Sequence, residues 1–346
     1  MKTRVVSLTA ATLLALTACG GGGSASDEGA GGGGSDLESV TIRLGVGDPA
    51  TSSVGVAAQH FADLVKEESD GRIDVQVFPD GTLFGGDQNA AVNQVQSGSI
   101  DATILSTSVY ASFEPRMNAI SMPYLFEDAD QYVSYLEGEP GQTLLDSLDK
   151  INTEGLGLMT RTFRQTTNSQ KPITKPADLE GIKLRVPNNE LWVKFFGALG
   201  ANPTPMDFTE VYTALQLGVI DGQENPIEVP LANKFYEVQK YLSLTNHIVD
   251  GYILGMNQDK FEGLQDEAQQ ILKDAAAETA QFKREYDDEQ TAKAIDELES
   301  HGMKVNELTD DQMAEFQAEA EKLYPQFEAL IGEEFVAETL EFVGRG

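Results

Sequence analysis

The chain has 346 residues, enough for two domains with separate cores, and 40% of it is apolar, so most of it is expected to fold. Twenty-four basic residues against 56 acidic ones give a formal net charge of −32, which argues against nucleic acid or an anionic membrane surface as a partner. The single cysteine excludes an internal disulfide.

Lys2 and Arg4 precede an apolar stretch over residues 5–18 that is too short to span a bilayer and reads as a secretion signal. It ends in Leu16-Thr17-Ala18-Cys19-Gly20, which resembles a bacterial lipobox, a signal whose cysteine becomes the lipid-bearing first residue. The small residue before Cys19 and the lack of any other cysteine favour that reading over a chance cysteine. Residues 1–18 are therefore expected to be a lipoprotein signal peptide. Residues 19–38, rich in Gly and Ser, are expected to form a flexible tether with too little apolar surface to fold.

The body begins near Val40, where VTIRLGV alternates with the period of a strand. Val54, Ala57, Ala58, Phe61, Leu64 and Val65 then mark one face of a helix, which Gly71 is expected to stop. RIDVQVFP predicts a second strand, with Ile73, Val75 and Val77 on one side. Asp87 is placed to cap a short helix through Gln96, closed by Gly98, and IDATILS predicts a third strand. Strands alternating with helices imply a parallel or mixed sheet with helical layers.

Farther on, GLGLMTRTF reads as a strand and GIKLRVP as a cleaner one. In the latter Ile182, Leu184 and Val186 share a face, so Lys183 and Arg185 share the other. A helix from about Asn188 turns Trp192, Phe195, Phe196 and Leu199 inward and stops at Gly200. Asp207 and Glu210 have the spacing of a capping box for a helix through Leu217. KYLSLTNHIV and GYILGMN predict two more strands. Residues 265–300 contain neither proline nor glycine and predict one very long helix, able to run along two domains. Thr309 and Gln312 form a second capping-box pattern ahead of a helical tail.

His60, His247 and His301 are far apart and none sits in a ligand-spaced motif, so no metal site is expected. There is no P-loop, dinucleotide fingerprint or G-x-S-x-G elbow, and no cofactor is expected. Carboxylates are too numerous for any pair to stand out, whereas arginines are scarce. Arg161 and Arg164 follow one strand and Arg185 lies near the end of another, where ligands of such sheets sit. A bidentate clamp on a carboxylate is one reading of them, and ordinary ion pairs with nearby acids are the other. By position alone, Phe208 is a core residue or a stacking wall, and His247 a structural histidine or a ligand contact.

The segment KPITKPADLEGIKLRVPNNELWVKFFGALGANPTPMDFTEVYTALQLGVIDGQENP, followed by KFYEVQKYLSLTNHIV, resembles the extracytoplasmic substrate-binding proteins of tripartite ATP-independent periplasmic (TRAP) transporters, the DctP-like family. A weaker likeness runs from about Thr41 to about Leu340. The resemblance implies an α/β, two-domain periplasmic-binding-protein-like fold with a ligand cleft between the domains, crossing strands and one long bridging helix. On that pattern residues 39–161 and 251–290 form the first domain, and 162–250 and 291–346 the second. It also implies a non-catalytic monomer outside the cytoplasm, held at the cell membrane by lipid on Cys19. Such a protein hands a small organic acid to membrane permease subunits.

The family's usual anchor, the arginine of L-R-V-P, is Arg185 here. In the sialic-acid-binding branch the arginine of R-Q-T-T and the asparagine of Q-E-N-P also bind; here they are Arg164 and Asn225. Asn188, Phe208 and His247 match further positions, and Glu224 is expected to brace an arginine. Within LQLGVIDGQENP, Val219 and Ile220 are expected to form a short buried strand, Gly222 to let the chain approach the cleft, and Asp221 and Gln223 to be structural. The chain departs from that branch on the opposite wall: Gln88 and Ser106 stand where the branch has acids, Gly47 replaces an asparagine, and Pro49 and Ala50 alter the loop. The carboxylate clamp is kept and the far-end groups differ, so the expected ligand is a monocarboxylate such as a sugar acid. The alternatives are a dicarboxylate or 2-oxo acid, a partner that reports to a membrane sensor, or an exported lyase or hydrolase for acidic sugars that uses Glu224 or His247.

Overall fold

The computed structural model describes residues 37–346. The expected signal peptide, Cys19 and all but the last two residues of the tether lie outside the described residues. Eleven strands among them form two sheets. They are β1 (Val40–Val46), β2 (Ile73–Phe78), β3 (Ala102–Ser106), β4 (Thr153–Thr160), β5 (Arg164–Asn168), β6 (Lys183–Val186), β7 (Asn202–Pro205), β8 (Gly222–Pro226), β9 (Tyr241–Leu244), β10 (Gly251–Asn257) and β11 (Lys304–Glu307). The first sheet has the order β2-β1-β3-β10-β4 and the second β11-β9-β5-β8-β6-β7. Both are mixed: β1 runs parallel to β2 and β3, while β10 is antiparallel to β3 and β4. In the second sheet β6 is parallel to β7 and β8, and β5 antiparallel to β8 and β9.

The chain passes from the first sheet to the second through residues 161–163 and returns through residues 245–250. The strand expected over GLGLMTRTF ends at Thr160, a second strand in the other sheet begins at Arg164, and the break sets Arg161 and Asp250 between the sheets. The helix Asp266–Ser300 follows. Its Ala268, Leu272, Ala275 and Ala276 pack in the core of the first sheet, with Phe61, Ile42 and Met256. Its Ala294 and Leu298 pack with Leu242 and Ile227 beside the second. One helix thus runs along both sheets, and the buried Lys283 and Asp287 lie midway.

The expected helices over 54–68, 88–96 and 190–198 are present, with Ser52, Asp87 and Asn189 capping their first turns. The first ends at Ser69, before Gly71, because Asp70 and Gly71 both take left-handed backbone. Thr309 and Gln312 form their capping box. Asp207 and Glu210 do not: the Asp207 carboxylate accepts from Asn188 Nδ2, and a 3-10 turn, Phe208–Glu210, leads into the helix Val211–Gln216. The segment between β3 and β4 went unread in the sequence; it forms several short helices, including Ala129–Glu137 and Glu139–Ser147.

The turn after Gln216 also differs from expectation. Gly218 takes left-handed backbone and ends the helix, so the chain turns outward. Val219 is 54% exposed, and only Ile220 is buried. The strand starts at Gly222, whose absent side chain serves the sheet rather than the cleft: a Cβ there would stand 2.3 Å from the Thr167 carbonyl oxygen on β5. Asp221 is structural, its carboxylate accepting from the Lys183 backbone N–H at 2.9 Å.

Overpacking of this kind destabilises by about 1–3 kcal/mol, so Gly222→Ala is expected to lower unfolding free energy by that amount. Val219→Ser is expected to change it by less than about 0.5 kcal/mol. Urea titrations of both variants check this, and a larger loss for Val219→Ser would reverse the burial assigned to the turn.

Candidate functional site

β6 shows how the sequence aims one side chain. Ile182, Leu184 and Val186 enter the core, so Arg185 leaves on the opposite face. There it meets a cleft between the two sheets. The second sheet and its loops contribute Arg164, Arg185, Pro187, Phe208 and Asn225 to the inner cleft. The first contributes Asp48, Gln88, Ser106, Ser108, Val109 and Tyr252, and Arg161 enters from the crossing segment. This inner space is about 30 Å³, room for a few waters at most. An outer chamber of about 280 Å³ adjoins it, lined by Gly47, Pro49, Asp80 and Tyr212 among others, and Phe208 lines both. Bonds cross between the walls: Ser112 Oγ donates to the Asn188 carbonyl at 3.1 Å, and Asn189 Nδ2 donates to the Ser108 carbonyl at 2.9 Å.

Two of the three arginines are paired with carboxylates, although Arg161 Nε has no hydrogen-bond partner among the described residues. Arg164 donates from Nε and Nη2 to the two Glu224 carboxylate oxygens, from Nη1 to Asp250 at 3.0 Å and from Nη2 to Asn225 Oδ1 at 3.0 Å. Arg161 donates from Nη1 to both Asp250 oxygens at 3.0 and 3.2 Å, and its guanidinium stands 4.5 Å from the Tyr252 ring centre. Burial opposes the charge of both arginines, and their carboxylate partners outweigh it. Asp250 and Glu224 are held below their ordinary values by the same cations. Ser106 Oγ donates to Asp250 Oδ2, so it too is engaged within the protein.

Arg185 differs. It is 4% exposed, and its Nε and Nη2 donate to one neutral acceptor, the Met206 carbonyl, at 3.0 and 2.7 Å. Among the described residues no carboxylate pairs with it; Glu224 and Asp207 act on it only at longer range. Burial pushes its pKa down to about 10. A guanidinium desolvated to this degree without a counter-ion is costly, and an incoming anion relieves that cost.

The other expected site residues divide by location. Asn225 lines the cleft, but its Oδ1 accepts from Arg161 and Arg164 and its Nδ2 donates to Gln223, so it holds the arginines in place. Gln88 lines the cleft, and among the described residues its amide makes no hydrogen bond. Gly47 lies in the outer chamber, and a Cβ there would stand 2.5 Å from Gln88 Nε2, so the glycine makes room for that amide. Asn188 sits outside the inner lining, bonded to Asp207. Glu224 and His247 lie behind Arg164. The Glu224 carboxylate at 3.1 Å assigns the proton to His247 Nε2, and Nδ1 accepts from the Thr245 hydroxyl at 2.8 Å. Burial outweighs Glu224 and lowers the His247 pKa, so the ring is neutral. That leaves neither group free to serve as a general acid or base toward the cleft.

Sequence reasoning missed Asp48, Tyr252 and Asp250, and named Arg161 without placing it. Asp48 had a usable signal, since it follows the carboxyl end of a parallel strand just as Arg185 nearly does. Asp250 had none, being one acid among many. A larger cavity, about 550 Å³, lies beyond residues 160–163, bordered by Tyr132, Leu244 and Ile295. Its arginines, Arg161 and Arg284, are already paired with Asp250 and Glu137, so it offers an anion less than the cleft does. Among the described residues no group of His, Cys, Asp or Glu is arranged to hold a metal.

Residues 45–330 match the family described as bacterial extracellular solute-binding protein, family 7. The chain is 37% identical to the 2,3-diketo-L-gulonate-binding periplasmic protein YiaO of Escherichia coli K12 over 271 residues, which are 78% of this chain and 82% of that one. It is 32% identical to the C4-dicarboxylate-binding protein DctB of Bacillus subtilis 168, over 83% of this chain and 82% of that one. Among solved structures it is similar to the sugar acid binding protein DctPAm of Advenella mimigardefordensis in complex with galactonate. There the TM-score is 0.86 and the identity 34%, covering 90% of this chain and 99% of that one.

The buried neutral imidazole has a pH signature. Its folded pKa lies below the unfolded value of about 6.5, so the stability it contributes is full above that pH and falls as pH drops through it. The lowered carboxylates Glu224 and Asp250 act in the same direction but only below about pH 4. His247→Gln is therefore expected to flatten the dependence of unfolding free energy on pH between 7 and 5, measured by urea titration. An unchanged slope would mean that folding does not shift the titration of the ring.

Proposed function

Because the chain belongs to family 7 of the bacterial extracellular solute-binding proteins, the solute-binding proteins of TRAP transporters, we propose that it captures a sugar acid through one carboxylate and delivers it to a membrane permease pair. Its relatives and structural neighbours are binding proteins, not enzymes. The observation that carries the ligand reading is Arg185, a buried cation whose one hydrogen-bond acceptor among the described residues is a carbonyl.

The ligand carboxylate takes the remaining donors of Arg185 as charge-assisted hydrogen bonds. Arg161 and Arg164, locked by Asp250 and Glu224, add a fixed positive field that needs no rearrangement when ligand arrives. Phe208, 5.8 Å from the Arg185 guanidinium, forms the apolar wall. Gln88 offers an unengaged amide from the opposite wall. The inner space is far smaller than a six-carbon acid, so the walls part to admit ligand and close on it. Contacts from both walls exist only in the closed form, which gives ligand its differential affinity for that form.

Sheet membership supports a first domain of residues 39–161 and 251–290 and a second of 162–250 and 291–346. The lipobox-like run ending at Cys19 and the Gly-rich stretch after it support a monomeric lipoprotein, tethered by lipid to the outer face of a cell membrane.

A thermal-shift panel of galactonate, gluconate, glucuronate and succinate identifies a binder. Arg185→Ala is then expected to weaken calorimetric affinity for that acid by about 2–5 kcal/mol, roughly 30- to 5,000-fold. Unliganded stability should fall by no more than about 1 kcal/mol, because the buried charge is removed along with its hydrogen bonds. Unchanged affinity in a folded variant would overturn the assignment.

A further inference from the structure

Asp48 is the second unpaired charge of the cleft. It follows β1 at the first-sheet wall, is 7% exposed and lines the same inner space as Arg185. Among the described residues its carboxylate oxygens make no hydrogen bond and no ion pair; its backbone carbonyl accepts from the Asp80 N–H. The cations nearest to it are committed elsewhere: Arg161 to Asp250, and Lys283 to Asp287 and the Thr160 carbonyl. A buried carboxylate with no donor among the described residues is as unusual as the Arg185 guanidinium with no counter-ion. The two sit on opposite walls, so a ligand held at one end by Arg185 presents its other end toward Asp48.

Three kinds of group could meet Asp48 there. An ammonium would pair with it, but the fields of Arg161, Lys283 and Arg185 reach the same carboxylate from longer range and oppose a further cation. Burial already pushes the Asp48 pKa above the ordinary carboxylate value, so a second carboxylate beside it could enter only with a proton shared between the two. A hydroxyl donates to the carboxylate, adds no charge and leaves the positive field undisturbed. The neighbours on this wall, the unengaged Gln88 amide and the hydroxyl of Ser108, suit a chain that carries several hydroxyls.

We propose that Asp48 is the specificity-determining residue of the cleft: it accepts from a hydroxyl at the end of the ligand remote from Arg185 and excludes a carboxylate there, which fixes the substrate class as polyhydroxylated monocarboxylates. This rests on the sugar-acid reading and deepens it, since Arg185 alone would serve a dicarboxylate equally well.

The test uses matched pairs that differ only at the far end: galactonate with galactarate, and gluconate with glucarate. They are titrated calorimetrically into the parent protein and into Asp48→Asn, which keeps the shape and removes the charge. The parent is expected to favour the monocarboxylate of a bound pair by about 100-fold or more, from like-charge repulsion and the lost hydroxyl. In Asp48→Asn that ratio is expected to shrink about tenfold or more, mainly because the dicarboxylate gains. A parent that binds both members of a pair equally, or a ratio unmoved in Asp48→Asn, overturns the Asp48 assignment while leaving the sugar-acid reading intact. Binding of succinate with no binding of any polyhydroxy acid overturns both. A thermal melt of Asp48→Asn matching the parent's shows the variant is folded, and Asp48→Ser serves as the second variant if it is not.

Discussion

Asp250 holds two arginines at once, and much of the cleft follows from that. It sits on one crossing segment, Arg161 on the other, and Arg164 where the second of these enters the second sheet. With Glu224 closing on Arg164 from β8, two guanidiniums are neutralised and immobilised inside the protein. The third, Arg185, is left with a carbonyl. With Asp48 on the opposite wall, three guanidiniums face three carboxylates, and Arg185 is the one of the three with no carboxylate partner among the described residues. An anion entering the cleft meets one guanidinium that lacks a carboxylate partner, so its orientation follows Arg185.

The same ion network bears on motion. The crossing segments are the links that two separating walls would bend. Arg161 and Asp250 both lie on those links, and their pairing can survive opening. The bonds that must break include those at the rim, Ser112 to Asn188, Asn189 to Ser108 and Asn118, and Thr209 to Gly86, all of them neutral hydrogen bonds. Neutral bonds of this kind contribute only about 0.5–1.5 kcal/mol each, so the closed form is held lightly until ligand bridges it. The long helix Asp266–Ser300 packs against both sheets and limits the hinge further.

Much of this was legible in the sequence, and what was not has physical reasons. The period-two pattern of GIKLRVP placed Arg185 opposite the core, and the absence of proline and glycine after residue 265 gave the long helix. Family motifs pointed to Arg164, Asn225 and His247, but motif identity says nothing about saturation. Only the structure reveals that Arg164 has spent its donors on Glu224, Asp250 and Asn225, and that His247 lies behind it. Asp48 and Asp250 were hidden by abundance, because in so acidic a chain no single carboxylate stands out until burial and partners are known. The turn after Gln216 was misread because two β-branched residues suggest a strand, whereas Gly218 had already turned the chain outward.

The central claim is that ligand supplies the counter-ion Arg185 lacks. The most direct measurement compares, by calorimetry on the parent protein, whichever hexonate binds with the hexitol that keeps every hydroxyl and replaces the carboxylate by CH2OH. The account predicts that the hexitol binds about 30-fold to 5,000-fold more weakly, the range expected when a buried charge loses its partner. A hexitol that binds as tightly as the acid would contradict it.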